Sequence, residues 1–138
     1  MSAIIDNGPS PLVCPVEKLA IENENYRTTL WTGSYLQVTL MSITPGHDIG
    51  LEVHEHVDQF LRIEQGKANV FLGPDMNELN MQQAGDGDAI IVPAGTWHNL
   101  VNSGEVDLKV YSIYSPVQHP HGTIHATKEA ADAAEISE

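Results

Sequence analysis

Positively charged residues and cysteine are both scarce in this chain. Only 6 of its 138 residues are lysine or arginine, against 19 aspartates and glutamates, so the formal net charge is −13 with the histidines neutral. A surface this acidic repels phosphate backbones and anionic lipids, so we expect neither nucleic acid nor a membrane as a partner. The single cysteine, Cys14, excludes an intrachain disulfide and a thiolate metal cluster.

Long apolar runs are also missing. No segment approaches the ~20 consecutive apolar residues that a helical membrane span needs. The first residues lack the positive region and the long apolar stretch of a secretion signal. We therefore expect a cytoplasmic protein.

Helical periodicity is rare in the middle of the chain, where short runs rich in Val, Ile, Leu, Thr and Tyr alternate with turn residues. Many short strands at such spacing are typical of an all-β sandwich or barrel. Residues 15–24 and the segment after Thr127 predict two short helices. We expect one domain over residues 1–138, with a core at about 27–115, an N-terminal arm (1–26) and a C-terminal tail (116–138). The predicted strands are 27–31, 35–43, 51–56, 59–64, 68–72, 89–92, 97–102 and 107–114.

Seven histidines are the main candidates for chemistry, and two of them, His54 and His56, are two residues apart. On a strand, side chains at this spacing point to the same face, so both imidazoles are expected to share one space. Such a pair suits a divalent metal, and the amide oxygen of Gln59 can join it after a short turn. Glu52 alternates with His54, which makes it a candidate general base or a carboxylate at the rim of the barrel.

A second segment places His98 at the start of a predicted strand. Residues 87–102 have the spacing Gly-x5-Pro-x-Gly-x2-His-x3-Asn, in which His98 is the histidine. At every named position this segment resembles the second motif of the cupin superfamily.

The first cupin motif, G-x5-H-x-H-x(3,4)-E-x6-G, is met less completely. His54, His56 and Gly66 fit, and Gln59 stands six residues before Gly66, where the family has a glutamate. Only two residues separate His56 from Gln59, and Gly50 lies closer to His54 than the motif requires.

The resemblance implies a double-stranded β-helix, or jelly-roll barrel, that holds one divalent metal ion inside. Carried over by position, the implied ligands are His54, His56, Gln59 and His98. Asp58 is the alternative fourth ligand, and Gln59 would then hydrogen-bond to an imidazole or a water. Mn(II) or Fe(II) suits a mixed nitrogen and oxygen set, with Ni(II) and Zn(II) as further candidates.

Three imidazoles and an amide would leave the double charge of the ion uncompensated, which favours non-redox chemistry. We therefore expect a metal-dependent isomerase, hydratase or lyase acting on a small polar metabolite such as a sugar or a keto or hydroxy acid. An iron-dependent dioxygenase and a non-catalytic metal- or ligand-binding module are the alternatives. Small bacterial single-domain cupins with similar sequences are sometimes labelled mannose-6-phosphate isomerase-like, which is a loose analogy.

Three further histidines, His119, His121 and His125, follow the predicted barrel. We expect a solvent-exposed segment there, while folding back over an opening and a second metal site are the alternatives. Tyr111 and Tyr114 fall on opposite faces of the last predicted strand, so we expect one of them to line the interior.

The N-terminal region carries apolar side chains that the two motifs do not require. Burying them against a second copy would cover an exposed sheet edge, which predicts a homodimer. These residues are Ile4, Ile5, Leu12, Val13, Val16, Leu19 and Ile21.

Overall fold

A short helix, nine strands and a second helix follow one another along residues 5–137. The structure is a computed structural model that describes these residues and the side chains of residues 5–134. Ile4 of the predicted arm lies outside the described residues. The elements are α1 (Val16–Glu22), β1 (Arg27–Thr32), β2 (Gln37–Ile43), β3 (Asp58–Gln65), β4 (Lys67–Gly73), β5 (Asn80–Gly85), β6 (Ala89–Val92), β7 (Trp97–Asn102), β8 (Leu108–Ser115), β9 (Ile124–His125) and α2 (Lys128–Ser137).

The strands form two antiparallel sheets. The larger has the order β6-β3-β8-β2-β1-β9 and the smaller has the order β5-β4-β7. Side chains of both sheets contribute to one buried apolar cluster, so the sheets face each other across it. The predicted double-stranded β-helix is therefore confirmed. The cluster includes Met41, Leu61, Ile63 and Val110 from the larger sheet and Ala68, Val70 and Leu100 from the smaller one.

The inner face of the larger sheet changes from apolar to polar along its strands. Strands β2, β8 and β3 are paired in register, and directly paired residues share a face. Buried polar groups need partners, so a polar layer inside a barrel marks a place where a ligand or an ion can bind. Tyr111 lies on the opposite, outer face, as predicted. The apolar layer contains Met41, Val110 and Ile63, and the polar layer contains Gln37, Tyr114 and Gln59.

The structure differs from the predicted strands in the segment 51–56 and at β5 and β9. Residues 51–56 form no strand, and only Glu52 makes an isolated bridge with His98. Strand β5 was not predicted because its residues are mostly exposed and polar, so it shows no apolar alternation. Its pairing with β4 creates it. Strand β9 has two residues and depends in the same way on its pairing with β1.

Both predicted helices are present. Ala20 of α1 packs with Leu30 and Leu40 against the outer face of the larger sheet. Helix α2 begins after Thr127, whose hydroxyl accepts a hydrogen bond from the backbone N of Ala130 at 3.1 Å. Among the described residues, no helix has the length and apolar character needed to cross a membrane.

Candidate metal centre

Glu52, His54 and His98 bring three candidate ligand atoms together at the polar end of the barrel. One such atom from each residue lies within 4.8 Å of the other two. Oε1 of Glu52 is 3.2 Å from Nε2 of His98 and 3.3 Å from Nε2 of His54. The His98 side chain is 3% exposed and that of Glu52 is 27% exposed. The cluster is therefore buried on the side of His98 and reachable from solvent on the side of Glu52.

Two backbone hydrogen bonds hold Glu52 opposite His98. The N of Glu52 donates to the O of His98 at 3.0 Å, and the N of His98 donates to the O of Glu52 at 2.9 Å. Directly paired residues present their side chains to the same face. His98 itself is fixed on β7, where it pairs with Leu72 of β4. The loop that carries Glu52 is thus attached to a strand at the point where the site needs it.

A backbone carbonyl determines which nitrogen of His98 carries its proton. Nδ1 of His98 lies 3.0 Å from the carbonyl oxygen of Thr96. A carbonyl only accepts, so Nδ1 donates and Nε2 of the neutral ring presents a lone pair. That lone pair faces an oxygen of Glu52, which is also an acceptor. Two acceptors at this distance repel each other unless a cation, either a proton or a metal ion, lies between them.

Two more buried polar atoms lack a well-aligned hydrogen bond. Nε2 of His54 makes a 3.3 Å contact with Oε1 of Glu52 that is not well aligned, and Oε1 of Gln59 has no partner. Gln59 is 3% exposed and lies on β3 beside Tyr114 of β8. Its Nε2 is 3.5 Å from the hydroxyl of Ser112, which leaves the oxygen as its free end. Because buried polar atoms are nearly always satisfied in proteins, these two atoms indicate a partner outside the chain.

The donor set fits a divalent ion. It offers two imidazole nitrogens, one carboxylate oxygen and one amide oxygen, a mixture that first-row divalent metals accept. Burial raises the pKa of the Glu52 carboxyl, but its interactions with His54 and His98 outweigh burial and hold that pKa at about 2. The Glu52 carboxylate is therefore anionic at neutral pH.

His56 and Asp58 lie outside this cluster. His56 is exposed, because the chain at residues 51–56 is a loop and the alternation expected of a strand does not apply. Asp58 is exposed as well, and its Oδ1 accepts a hydrogen bond from the N of Ala94 at 2.9 Å. Of the two alternatives for the fourth ligand, Gln59 is the one that is buried.

The sequence does contain a signal for Glu52. The spacing Gly46-x5-Glu52-x-His54-x4-Gln59-x6-Gly66 matches every interval of the first cupin motif. Glu52 then takes the place of the first histidine, and Gln59 takes the place of the glutamate. This alignment removes both departures that pairing the two neighbouring histidines leaves, and it agrees with the observed geometry.

A buried histidine of the C-terminal segment covers the polar layer. The ring of Tyr114 meets that of His54 edge-on at 6.0 Å and that of His119 at 5.3 Å. Gln37 holds His119 in place, since its Oε1 accepts from the N of His119 at 2.9 Å and its Nε2 donates to the O of His119 at 2.8 Å. Burial and the nearby charge of Arg27 lower the pKa of His119 to about 3, so its ring is neutral.

The expectation of a solvent-exposed histidine-rich segment is therefore corrected for His119, where the segment folds back over the barrel. His119 is 9% exposed. His121 is half-exposed and its Nε2 lies 2.9 Å from the O of Gly8. Nδ1 of His125 lies 3.2 Å from Nη1 of Arg27. We call the two hydrogen bonds that Gln37 makes to the backbone of His119 the clamp. The composition of the segment gives no indication of it, because Gln37 lies on another strand.

Comparison with known proteins gives a consistent result. Residues 39–114 match a family model described as the Cupin domain. The chain is 54% identical over 131 residues to the uncharacterized protein YrkC of Bacillus subtilis, covering 94% of this chain and 70% of that protein. It is 38% identical over 122 residues to the uncharacterized protein L612 of Acanthamoeba polyphaga mimivirus, covering 88% and 75%. The crystal structure of BH2720 from Bacillus halodurans, 52% identical, superposes with a TM-score of 0.93 over 94% of this chain and 99% of that one.

Proposed function

Since this chain belongs to the cupin family, we propose that it binds one divalent metal ion through Glu52, His54, Gln59 and His98. With that ion it acts as a non-redox enzyme, an isomerase, hydratase or lyase, on a small polar metabolite in the cytoplasm. A small molecule suits the net charge of −13, which disfavours nucleic acid and anionic membranes.

The observation that carries this proposal is the convergence of three candidate ligand atoms, from Glu52, His54 and His98, with Gln59 in the adjacent polar layer. Nε2 of His98 and Nε2 of His54 both face Oε1 of Glu52, and the buried oxygen of Gln59 has no partner. Among the described side chains, no lysine or arginine forms an ion pair with Glu52. A divalent cation would satisfy all four groups at once.

The metal is proposed to be Mn(II) or Fe(II), because both accept mixed nitrogen and oxygen ligands in an octahedral arrangement. Ni(II) and Zn(II) bind such sets as well, in keeping with the general order of metal affinities. Glu52 changes the charge balance expected from three imidazoles and an amide, since its carboxylate offsets one of the two positive charges of the ion.

When bound, a divalent ion would polarise a carbonyl or hydroxyl oxygen of the substrate. The chain supplies neutral groups around it. Burial raises the pKa of Tyr114 to about 12, so its phenol keeps its proton at neutral pH. His119 stays neutral and presents a buried Nε2 without a partner. Neutral polar groups of this kind can orient an oxygen-rich substrate through hydrogen bonds, as hydration or isomerisation requires.

An iron-dependent dioxygenase is the second candidate, and one observation favours it. Two histidines and one carboxylate, here His54, His98 and Glu52, form the ligand set that non-haem Fe(II) oxygenases use. Anaerobic loading with Fe(II), followed by measurement of oxygen uptake with small organic acids, separates the two candidates. Oxygen consumption coupled to product formation would assign the dioxygenase.

The metal itself is tested by titrating chelator-treated protein with Mn(II) and measuring bound metal and the melting temperature. We expect one ion per chain and a melting temperature that rises with metal, because the ion binds the folded state alone. His98→Ala should abolish tight binding, whereas His47→Ala, at an exposed histidine, should not. Unchanged stoichiometry in the His54→Ala, His98→Ala double variant would refute the site.

A further inference from the structure

Arg27 carries a positive charge into the interior of the barrel. It is the first residue of β1, where it pairs with Met41 of β2 and His125 of β9, and it is 4% exposed. Met41 belongs to the interior cluster, and directly paired residues share a face, so Arg27 points inward. The other arginine, Arg62, lies at the surface with 45% of its side chain exposed and is paired with Glu64.

The Arg27 guanidinium is only partly satisfied. Nη1 lies 3.2 Å from Nδ1 of His125, and Cζ lies 5.3 Å from the centre of the Tyr26 ring. Its Nε is buried and has no hydrogen-bond partner. No carboxylate among the side chains of residues 5–134 forms an ion pair with it. Burying a cation without an anionic partner is costly, so an anion that enters the barrel would be stabilised there.

His119 aims a second unsatisfied atom into the same interior. Its Nε2 is buried without a partner, and its side chain is held against Tyr114 by the clamp from Gln37. Arg27 pairs with Met41, and the clamp on His119 comes from Gln37, four residues before Met41 on the same strand and on the same inner face. Arg27 and His119 therefore lie along one inner face of the larger sheet, which continues through Tyr114 to His54 of the metal cluster.

We propose that Arg27, with His119, binds the carboxylate of a small organic acid, and that such acids are the substrate class of this protein. An arginine donates two parallel hydrogen bonds to a carboxylate, and the edge formed by Nε and Nη2 is the one turned away from the contact with His125. The neutral ring of His119 donates a third bond from Nε2. The substrate assignment rests on the proposed function, whereas carboxylate binding rests on Arg27.

Charge balance favours an acid over a neutral sugar. A divalent ion and Arg27 would bring three positive charges to the barrel interior, and Glu52 supplies one negative charge in the same region. An acid with one or two carboxylates offsets the excess, and a neutral sugar does not. Of the two substrate classes expected from the sequence, sugars and organic acids, we therefore propose the acids.

The test is the binding of small acids to chelator-treated protein, so that metal takes no part. Glycolate, malonate and succinate are titrated by calorimetry beside glycolamide, malonamide and succinamide, their neutral amides. We expect at least one acid to bind. Its amide should bind with an affinity lower by at least about tenfold. Arg27→Gln and Arg27→Lys should each weaken binding of that acid about tenfold or more, because both lose the paired donors. Arg62→Gln, the matched surface variant, should leave it unchanged.

Three other results would overturn the proposal that Arg27 binds a carboxylate. Equal acid binding by the wild type and Arg27→Lys overturns the proposal, and this variant keeps the buried charge if Arg27→Gln does not fold by circular dichroism. Failure of every acid to bind the wild type also overturns it, as does inorganic phosphate binding more tightly than any acid in an Arg27-dependent way. Titrating the same chelator-treated proteins with Mn(II) separates the two proposals, since acid binding without any metal binding would remove the proposed function and leave the carboxylate site.

Discussion

His54 lies in the interior with 13% of its side chain exposed, whereas His56, two residues later, faces solvent. The chain between them is a loop, so side chains two positions apart no longer share a face. The interior position next to His54 is held instead by Glu52, whose backbone is bonded to that of His98. The proposed ligand set therefore contains a carboxylate where two neighbouring histidines predicted an imidazole.

Metal affinity should depend on Glu52 and not on His56. Glu52→Gln removes the negative charge while keeping the size of the side chain. We therefore expect the affinity for Mn(II) to fall by at least about tenfold. His56→Gln, the matched control in the same loop, should bind the ion as the wild type does. Competition against a coloured chelator measures both affinities. If His56→Gln were the variant that releases the ion, the loop would have to bind metal in a different register.

Gln59→Glu should keep the ion and lower its reduction potential. The substitution adds a negative charge where Gln59 is buried beside Ser112, and that charge stabilises the higher oxidation state of a bound metal. The measurement is a redox titration of Fe-loaded protein, with Gln83→Glu on the exposed strand β5 as the control. A potential equal to that of the wild type would mean that residue 59 does not contact the ion.

The sequence predicts best where apolar alternation and turn residues coincide. Residues 89–92 and 97–102 were predicted with the observed bounds, and the second motif places His98 on β7. The segment around Glu52 has no apolar alternation, because a loop tied to a strand by one isolated bridge has no periodicity, and only the motif spacing marks Glu52. The burial of His119 was not predictable either, since it depends on hydrogen bonds from Gln37, 82 residues away. Long-range polar contacts of this kind leave no local pattern.

Asp6 joins three segments of the chain, and its replacement should destabilise the fold. Its carboxylate accepts hydrogen bonds from the N atoms of Gly8, Thr32 and Gly122 and from the hydroxyl of Thr32. Asp6→Asn replaces one carboxylate oxygen with an NH2 group, which cannot accept hydrogen bonds from these donors. We therefore expect the free energy of unfolding to fall by about 1 to 3 kcal/mol. Urea denaturation at pH 7 measures it, with Asp86→Asn at an exposed position as the control.

The effect of Asp6 should shrink in acid. Burial raises the pKa of Asp6, but its hydrogen bonds, above all those with Thr32, outweigh burial and hold it below its ordinary value of 3.8. A carboxyl whose pKa is lower in the folded state stabilises the protein above its unfolded pKa, and that stability is lost as the pH falls through the folded value. The difference between wild type and Asp6→Asn should be present above about pH 5 and narrow below about pH 4. A difference independent of pH would show that the charge of Asp6 plays no part.

The N-terminal arm should mediate a homodimer. Within the described residues it leaves apolar side chains in solvent, since Val13 is fully exposed and Ile5 is 70% exposed. Removing such side chains from water favours association, and a second copy of the chain is the partner we expect. Light scattering at micromolar concentration should give the mass of two chains, and Val13→Asp should shift it toward one, because association would bury the new charge. Val106→Asp, at a half-exposed valine elsewhere on the surface, is the matched control and should remain dimeric. A monomeric wild type would contradict the prediction, and a dimer that tolerates Val13→Asp would place the interface outside the arm.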